Sequence, residues 1–357
     1  MSESVARRPP VRTSVEIGPE ALTEFDAILD ARTLEEYVED HLPGAASTPV
    51  LDGAERARVG TIHKQQSPFE AKRVGAALVA KNVAHHLETV FADKPRSWRP
   101  LVYCWRGGKR SGAMAHILRE VGWDAKTLEG GYKAYRRWVV ESLATLPGRY
   151  TYRVVHGATG SGKSRLLRAL HAAGAQVLDL EALAAHRGSV LGSLPWQPQP
   201  PQKYFETLVL DALRRMDPAR PVFVEAESRK IGQVQVPEGL ITAMRAAECV
   251  VVDAPVAVRV ALLMDEYRHF FDDRPSLDAQ LDCLVALHGR ERIDDWKAMA
   301  REARWAELVE RLLEDHYDPA YRRSSHHNFA RLADAPVVTL PAASDAAFAA
   351  IASKLAG

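Results

Sequence analysis

Two stretches of the chain alternate short apolar runs with segments in which apolar residues recur at helical spacing. In the first stretch, which covers about residues 14–142, apolar runs predict strands at 27–31 and 101–103. Helical spacing predicts helices at 69–90 and 112–121. Strands that are separated by helices in this way are typical of an α/β fold with a parallel sheet.

A second α/β stretch begins after residues 146–149, where the sequence Leu-Pro-Gly-Arg interrupts a helical pattern. We therefore expect one domain at residues 1–146 and another at residues 147–357. Five apolar runs in the second domain predict buried strands at 152–156, 177–180, 222–225, 249–253 and 337–340. The helical patterns between them indicate a mostly parallel sheet with helices on both faces. The Pro-rich segment 194–202 is expected either to cover a site or to form a rigid surface connection.

The composition agrees with a globular protein of two domains, because the 357 residues are 46% hydrophobic and 26% charged. A formal net charge of +1 neither requires nor excludes a nucleic-acid partner. No apolar stretch follows the amino-terminal arginines, and no apolar stretch is long enough to cross a bilayer. We therefore expect no signal peptide, no membrane partner and a cytoplasmic location.

The three cysteines, Cys104, Cys249 and Cys283, are far apart in the sequence. They form no Cys-x-x-Cys pair and have no zinc-site spacing, so we expect no bound metal. For Cys249 and Cys283 the surroundings favour packing in a core, which is the usual environment of a free thiol. Cys104 has different surroundings.

The segment 103–111, Tyr-Cys-Trp-Arg-Gly-Gly-Lys-Arg-Ser, lies between a predicted strand and a predicted helix. Backbone N–H groups and the helix dipole favour negative charge at a helix N-terminus, and the basic residues of the segment add to this effect. We therefore predict that Cys104 is a catalytic residue that reacts as a thiolate with a lowered pKa. The predicted anion-binding loop around it consists of Arg106, Gly107, Gly108, Lys109 and Arg110.

The segment 157–164, Gly-Ala-Thr-Gly-Ser-Gly-Lys-Ser, matches the P-loop pattern and lies between a predicted strand and a predicted helix. Such a loop surrounds a phosphate with backbone N–H groups, and its serine binds Mg²⁺ when a nucleotide is present. Glu225 and Asp253 end predicted strands, but neither has an evident acidic neighbour to orient water, so hydrolysis stays open. The predicted phosphate-binding residues are Gly157, Gly160, Ser161, Gly162, Lys163 and Ser164.

The cysteine loop, together with Asp30-Ala-Arg32 and the segment 36–45, resembles the rhodanese family over most of the first 140 residues. This resemblance implies a cysteine that carries sulfur as a persulfide, or the selenium equivalent. The loop is one residue longer than is usual in rhodaneses. Because Arg110 and Ser111 follow Cys104 with the Cys-x5-Arg-Ser spacing of cysteine phosphatases, a phosphatase stays open as well.

Five segments together resemble the bacterial tRNA 2-selenouridine synthase family over nearly the whole chain. They are residues 103–108, 128–136, 157–164, 225–232 and 317–321. The resemblance implies a rhodanese-like α/β domain followed by a P-loop NTPase-like α/β domain. It also implies a transferase that acts on 2-thiouridine at the wobble position, in the anticodon loop of tRNA.

In the chemistry that this resemblance implies, geranyl diphosphate geranylates the sulfur, and selenium from selenophosphate then replaces it. A selenophosphate synthetase is the implied source of selenophosphate. The P-loop is expected to hold the diphosphate, while Mg²⁺ or a nucleotide stays open as a cofactor. Trp105 is a candidate for stacking on the base. Further candidate substrate-binding residues follow a strand that should end beside the P-loop: Glu225, Glu227, Ser228, Arg229 and Lys230.

Two other functions agree with parts of the pattern. A P-loop kinase with a Cys-x5-Arg phosphatase or regulatory module would turn over nucleotide without tRNA. A sulfur-relay module would bind tRNA and load sulfur on Cys104, but would change no base by itself. The segments 128–136 and 225–232 favour the synthase, because neither alternative accounts for them.

Overall fold

The structure is a computed structural model that describes residues 13–16, 18, 23–325 and 329–356. The chain divides into two compact units, Met1–Glu141 and Ser142–Gly357. The segment that was expected to join the domains is a short 3₁₀ helix, Leu146–Arg149, a few residues after this division. The amino-terminal arginines, to which the signal-peptide expectation refers, lie outside the described residues.

The first unit contains a five-stranded parallel sheet with the strand order β1-β5-β4-β2-β3. Its strands are β1 (Ser14–Val15), β2 (Ala27–Asp30), β3 (Ala45–Ser47), β4 (Pro100–Tyr103) and β5 (Lys126–Leu128). Its helices are α1 (Leu34–Glu39), α2 (Gly53–Gln65), α3 (Pro68–Glu88), α4 (Lys109–Val121) and α5 (Gly131–Thr145), the last of which runs across the division.

Aromatic side chains fill part of the core of this unit. The rings of Phe91, Trp98 and Trp123 pack against one another with centroids 5.1 to 6.5 Å apart. They adjoin apolar residues of the central strands and of α4, such as Val102 and Met114. Because β4 is central and buried along its length, the residues that follow it are held in place by the core on both sides.

The second unit also contains a five-stranded parallel sheet, with the order β12-β11-β6-β8-β7. The strands are β6 (Tyr152–His156), β7 (Gln176–Leu178), β8 (Val222–Glu225), β9 (Lys230–Ile231), β10 (Val234–Gln235), β11 (Glu248–Asp253) and β12 (Val337–Thr339), of which β9 and β10 form a separate antiparallel pair. The helices are α6 (Lys163–Ala172), α7 (Leu180–Leu183), α8 (Gln202–Arg214), α9 (Glu238–Ala246), α10 (Val256–Glu266), α11 (His269–Asp272), α12 (Arg274–Asp282), α13 (Val285–His288), α14 (Arg290–Arg301), α15 (Trp305–Leu312), α16 (Asp318–Ser325) and α17 (Asp345–Ala356).

The α/β fold with parallel sheets is confirmed in both units, but some boundaries differ from the sequence pattern. Helix α4 begins at Lys109 instead of Gly112, because Gly108 is its N-cap. Strand β7 ends at Leu178, because the carboxylate of Asp179 caps α7 by accepting the N–H of Ala182 at 2.8 Å. Helix α2 was not predicted at all. It has no buried residue, so it has no apolar stripe for a pattern to detect.

The two remaining cysteines have different environments. Cys249 is buried, as expected. The expectation that Cys283 packs in a core is wrong, since it is exposed at the end of α12. The residue follows Leu281, the last buried position of that helix, and its thiol donates to the carbonyl of Ala279 at 3.5 Å.

In the described part of the chain, none of the helices combines the length and the hydrophobicity that crossing a bilayer requires.

The amino terminus of α5 holds the loop that follows β4. The N–H of Tyr132 donates to the carbonyl of Cys104 at 2.8 Å, and the N–H of Lys133 donates to the carbonyl of Trp105 at 3.0 Å. This close approach requires a glycine at position 131, because a Cβ there would overlap the carbonyl oxygen of Cys104. Gly131 also has a φ of 59°, which disfavours other residues.

We expect Gly131→Ala to lower the free energy of unfolding by more than about 1 kcal/mol, since it adds both overlap and backbone strain. Thermal unfolding followed by circular dichroism measures the change. Gly112→Ala is the control, because a Cβ at that position in α4 meets nothing within 4 Å. Equal unfolding temperatures for the two variants would contradict the role given to Gly131.

Candidate functional sites

Cys104 lies directly after β4 and next to the first turn of α4. Its side chain is 4% exposed, and its Sγ lies 3.1 Å from Oγ of the buried Ser111. Burial raises the pKa of the Cys104 thiol. Four other effects together outweigh burial and lower this pKa: the hydrogen bond with the Ser111 hydroxyl, the N–H groups of Ser111 and Gly108, and the charge of Arg110. The net pKa is below its ordinary value, so the site favours a thiolate.

The basic residues beside Cys104 differ in their surroundings. Arg106 and Lys109 are exposed. Arg110 is half-buried, and its Nη1 donates to Oε2 of Glu36 at 2.9 Å. Burial raises the pKa of Glu36, but this hydrogen bond and the charge of Arg110 lower it to a net value below the ordinary one. Glu36 therefore offsets the charge of Arg110, while Arg106 and Lys109 present theirs to solvent.

Two glycines shape the loop that carries these charges. Gly107 has a φ of 65°, and a Cβ there would lie 2.6 Å from the carbonyl oxygen of Leu128. Gly108 follows as the N-cap of α4 and has open space around it. The side chain of Trp105 is 41% exposed, with its ring centroid 5.3 Å from that of Tyr132. The predicted anion-binding loop and Trp105 thus lie together next to Cys104.

The Asp30-Ala-Arg32 motif forms a buried ionic network in the same unit. Arg32 Nη2 lies 2.6 Å from Oδ2 of Asp30, and both side chains are essentially inaccessible. The hydroxyl of Tyr103 donates to the same carboxylate at 2.7 Å. The guanidinium of Arg32 also lies 3.9 Å from the centroid of the Tyr132 ring, and the Tyr132 hydroxyl donates to Asp40 at 2.8 Å. This network orients Tyr103, which precedes Cys104, and Tyr132, whose ring packs near that of Trp105.

In the second unit, the P-loop connects β6 to α6. Gly160 and Gly162 have φ values of 77° and 81°, and a Cβ on Gly162 would lie 2.6 Å from the ring of Phe348. Nζ of Lys163 donates to the carbonyl of Gly157 at 2.9 Å, and Oγ of Ser164 donates to Oε2 of Glu181 at 2.7 Å. The loop therefore has the backbone shape that places successive N–H groups around a phosphate.

Ser161 and Gly157 complete the predicted set. The side chain of Ser161 is buried, and its Oγ has no hydrogen-bond partner among the described residues. The N–H of Gly157 donates to the hydroxyl of Tyr321 at 3.1 Å.

Four carboxyl groups, those of Asp179, Glu181, Glu225 and Glu227, lie near the P-loop. Glu225 ends β8 and is 1% exposed. Its Oε1 accepts the N–H of Glu181 at 2.7 Å, while its Oε2 has no hydrogen-bond partner among the described residues. Burial raises the pKa of Glu225 well above its ordinary value, and the neighbouring carboxylates raise it further. Its surroundings therefore favour the protonated form of Glu225 more than water does.

The pKa of the Glu227 carboxyl group is also raised. Burial and the charge of Glu181 raise its pKa to about 8, although Lys163 acts in the opposite direction. The acidic neighbour that the sequence did not reveal is therefore Glu181, which contacts both Ser164 and Glu225. Asp253, the other strand-end acid, is exposed. Among the described residues, no three His, Cys, Asp or Glu side chains are arranged to hold a metal ion.

A cavity of about 670 Å³ opens beside the P-loop. One part of its lining is polar and includes Lys163, Ser164 and Glu181. Another part is apolar or aromatic and comprises Val190, Leu194, Trp196, Leu263, Tyr267 and Tyr317. Because Leu194 and Trp196 belong to the Pro-rich segment, that segment borders a cavity.

The candidate residues after β8 are not all at this cavity. Glu227 and Ser228 line it, and Glu225 is buried next to Glu181. Arg229 is exposed and forms an ion pair with Glu238 at 2.8 Å, and Lys230 is exposed in β9; neither lines the cavity. The chain leaves the sheet after Ser228 and enters the antiparallel pair β9–β10, which directs these two residues elsewhere.

Several residues of the cavity carried no signal that sequence reasoning used. Asp179 lies inside the predicted strand 177–180, and Glu181 follows that strand without belonging to a recognised motif. Arg187 and Tyr267 stand outside any recognised motif. The only local signal in this part of the sequence is Gly188, directly after Arg187, since a glycine in a loop can mark a close approach of the backbone to another group.

Comparisons with known proteins match both units. The rhodanese-like domain family matches residues 19–137, and the tRNA 2-selenouridine synthase AAA domain family matches residues 150–280. A tRNA 2-selenouridine synthase of Nitrosomonas europaea is 36% identical over 67% of this chain and 63% of the relative. Proteins of the same name from Bdellovibrio bacteriovorus and Marinobacter nauticus are 36% identical over 67% of this chain and 64% of the relative, and 29% identical over 82% and 87%, respectively. The chain thus spans somewhat less than two thirds of the Nitrosomonas relative.

We expect Ser111→Ala to raise the pKa of Cys104, because the variant loses the hydroxyl that stabilises the thiolate. The rate of alkylation by iodoacetamide, measured by mass spectrometry of the Cys104 peptide across pH, should have its midpoint at higher pH and be several-fold slower at pH 7. The exposed Cys283 of the same sample is the internal control. An unchanged Cys104 profile would show that Ser111 does not stabilise the thiolate.

We expect the contribution of Glu227 to the free energy of unfolding to decrease as the pH rises from about 5 to above 8. Its pKa is raised from 4.5 to about 8 by folding, so in this range the folded state binds more protons than the unfolded state, and unfolding becomes easier as pH rises. The uncharged side chain of Glu227→Gln removes this dependence. Urea unfolding of both proteins at several pH values measures the difference.

Glu310→Gln, which removes an exposed carboxyl from α15, is the control for the loss of one negative charge. A constant difference between wild type and Glu227→Gln from pH 5 to 9 would show that Glu227 does not hold its proton in the folded protein.

Proposed function

Since the chain belongs to the tRNA 2-selenouridine synthase family, we propose that it is a transferase that modifies 2-thiouridine at the wobble position of tRNA. In a first step it transfers a geranyl group from geranyl diphosphate to the sulfur. In a second step selenium from selenophosphate replaces that sulfur. The cavity beside the P-loop is the observation that carries the first step, because it combines a phosphate-binding loop with an apolar and aromatic wall.

Geranyl diphosphate has the same two-part character as this cavity. Its diphosphate matches the backbone N–H groups of the P-loop and the charge of Lys163. Its ten-carbon chain is apolar and gains stability by contact with side chains such as Leu194, Trp196 and Leu263. A nucleotide would also bind to the phosphate-binding part of the cavity, but its polar ribose matches the aliphatic side chains of the lining less well than a hydrocarbon chain does.

In the geranyl transfer, a bond forms between the sulfur of the base and C1 of the geranyl chain, and the bond between C1 and the diphosphate oxygen breaks. The base loses its N3 proton, and diphosphate leaves. Negative charge grows on the leaving oxygen, where Lys163 and the N–H groups of the P-loop stabilise it. Burial and the neighbouring carboxylates raise the pKa of Glu225 and Glu227, which favours their uncharged forms and reduces the negative charge that faces this ligand.

In the selenium step, the selenium of selenophosphate attacks C2 of the geranylated base, a C–Se bond forms and the geranyl thiolate leaves. Water then attacks phosphorus, so the Se–P bond breaks, phosphate leaves and N3 of the base regains a proton. A thioether sulfur leaves more easily than a thione sulfur, so the first step prepares the second. Selenophosphate is an anion, and the site next to Cys104 combines exposed basic side chains with a helix N-terminus. We assign the binding of selenophosphate to Arg106, Lys109 and the loop backbone, and the handling of selenium to Cys104.

The two steps can be separated by variants. With 2-thiouridine tRNA and geranyl diphosphate alone, Lys163→Ala should lose geranylation by about a hundredfold or more, while Cys104→Ser keeps it. With geranylated tRNA and selenophosphate, Cys104→Ser should form no selenouridine, while Lys163→Ala retains the reaction. Mass spectrometry of the nucleosides after digestion measures both products.

Full geranylation by Lys163→Ala would contradict the placement of the diphosphate on the P-loop. If no base changes in any reaction of the wild type, the chain is not a synthase of this kind. ATP turnover without tRNA would then favour the kinase, and persulfide on Cys104 together with tRNA binding would favour the sulfur-relay module.

A further inference from the structure

Arg187, in the loop after α7, is a cation of the P-loop cavity that the function described above does not use. Its guanidinium carbon lies 4.8 Å from the centroid of the Tyr267 ring and 5.9 Å from that of Trp196. Its Nη1 is buried and has no hydrogen-bond partner among the described residues. Arg187 is half-buried, and in the described part of the chain no carboxylate forms an ion pair with it, although a buried guanidinium nitrogen normally has a partner.

Hydrogen bonds hold the loop that carries Arg187. The N–H of Arg187 donates to the carbonyl of Gly192 at 2.9 Å, and the N–H of Gly188 donates to Nδ1 of His186 at 3.1 Å. The hydroxyl of Ser189 lies 3.1 Å from that of Tyr267, one of the two rings that flank the guanidinium. The backbone and the aromatic contacts therefore fix the position of Arg187.

This loop comes close to the residues that contact the P-loop. Gly188 has a φ of 68°, and a Cβ there would lie 2.9 Å from a carboxylate oxygen of Glu181 and 2.9 Å from one of Glu227. The other oxygen of Glu181 accepts the hydroxyl of Ser164, at 2.7 Å. Arg187 therefore directly precedes Gly188, whose backbone lies close to Glu181, the residue whose carboxylate accepts the hydroxyl of Ser164.

We propose that Arg187 is a second phosphate-binding residue of this cavity, whose N–H groups bind oxygens of the diphosphate that Lys163 and the P-loop hold. Aromatic rings near a guanidinium stabilise its charge and leave the N–H groups in its plane free for an anion. The planar fork of arginine donates two parallel N–H groups to two oxygens of one phosphate, whereas the ammonium of Lys163 acts as a point charge without this fixed geometry. The inference rests on the proposed function for the identity of the ligand as a diphosphate.

Inorganic pyrophosphate is the probe, because it carries the phosphate groups without the apolar chain. Isothermal titration calorimetry at one fixed ionic strength compares its Kd for the wild type, Arg187→Gln, Arg187→Lys and Lys163→Ala. We expect Arg187→Gln to weaken binding roughly tenfold to a hundredfold, as for the loss of a hydrogen bond to a charged group. Arg187→Lys should weaken it less, since it keeps the charge but loses the fork.

Arg268→Gln is the matched control, because it removes the same charge from an exposed position next to Tyr267 that does not line the cavity. We expect its Kd to equal that of the wild type. Thermal unfolding of each variant shows whether it is folded. If Arg187→Gln is not, the comparison of Arg187→Lys with Arg268→Gln decides the question.

The outcomes separate this inference from the proposed function. Wild-type affinity in Arg187→Gln, with weakened binding in Lys163→Ala, would overturn the role of Arg187 and leave the P-loop as the diphosphate site. Equal weakening in Arg187→Gln and Arg268→Gln would also overturn it, because the effect would then be one of net charge. If pyrophosphate does not bind the wild type at all, the diphosphate site of the proposed function falls, and the role of Arg187 falls with it.

Discussion

A central parallel strand that turns directly into a helix through a glycine loop determines where chemistry can occur in both units. In the first unit the turn from β4 to α4 contains Cys104, and in the second the turn from β6 to α6 contains the P-loop. Each turn places backbone N–H groups and the positive end of a helix dipole at the same point. Glycines such as Gly107 and Gly162 are required there, because a side chain would meet a carbonyl oxygen or an aromatic ring. Both turns therefore have the backbone geometry that favours binding of an anion.

Buried charge is treated in opposite ways in the two units. Asp30 and Arg32 are fully buried but paired with each other, and Asp30 also accepts the hydroxyl of Tyr103, so the pair fixes the geometry around the cysteine loop. The carboxyl groups of Glu225 and Glu227 are close to other carboxylates, and burial raises their pKa. A protonated acid near a phosphate site does not repel an anion, which reconciles the acidic composition of the cavity with a phosphate-binding loop.

The cavity of the second unit combines a part suited to a phosphate group with a part suited to an apolar chain. It has a P-loop, an arginine near two aromatic rings that forms no ion pair among the described residues, and an apolar and aromatic wall to which Leu194 and Trp196 of the Pro-rich segment contribute. A ligand that carries phosphate at one end and a hydrocarbon chain at the other would use all three. The thiol site of the first unit has basic side chains and an exposed tryptophan but contains no comparable apolar wall among the residues described around it. This difference is the physical basis for dividing the two proposed steps between the sites.

Local sequence determined those structural features that a single short segment specifies by its own residues. The P-loop, the thiol loop and the parallel strands are of this kind, because glycine spacing and apolar runs have direct consequences for the backbone. Helix α2, without an apolar face, and the cap at Asp179 left no periodic signal. Only the tertiary structure brought Glu181, Arg187 and Tyr267, which are distant in the sequence, to the P-loop cavity. It also directed Arg229 and Lys230 away from that cavity. Proximity between distant segments depends on strand order and loop paths, and a single sequence does not encode these in any local pattern.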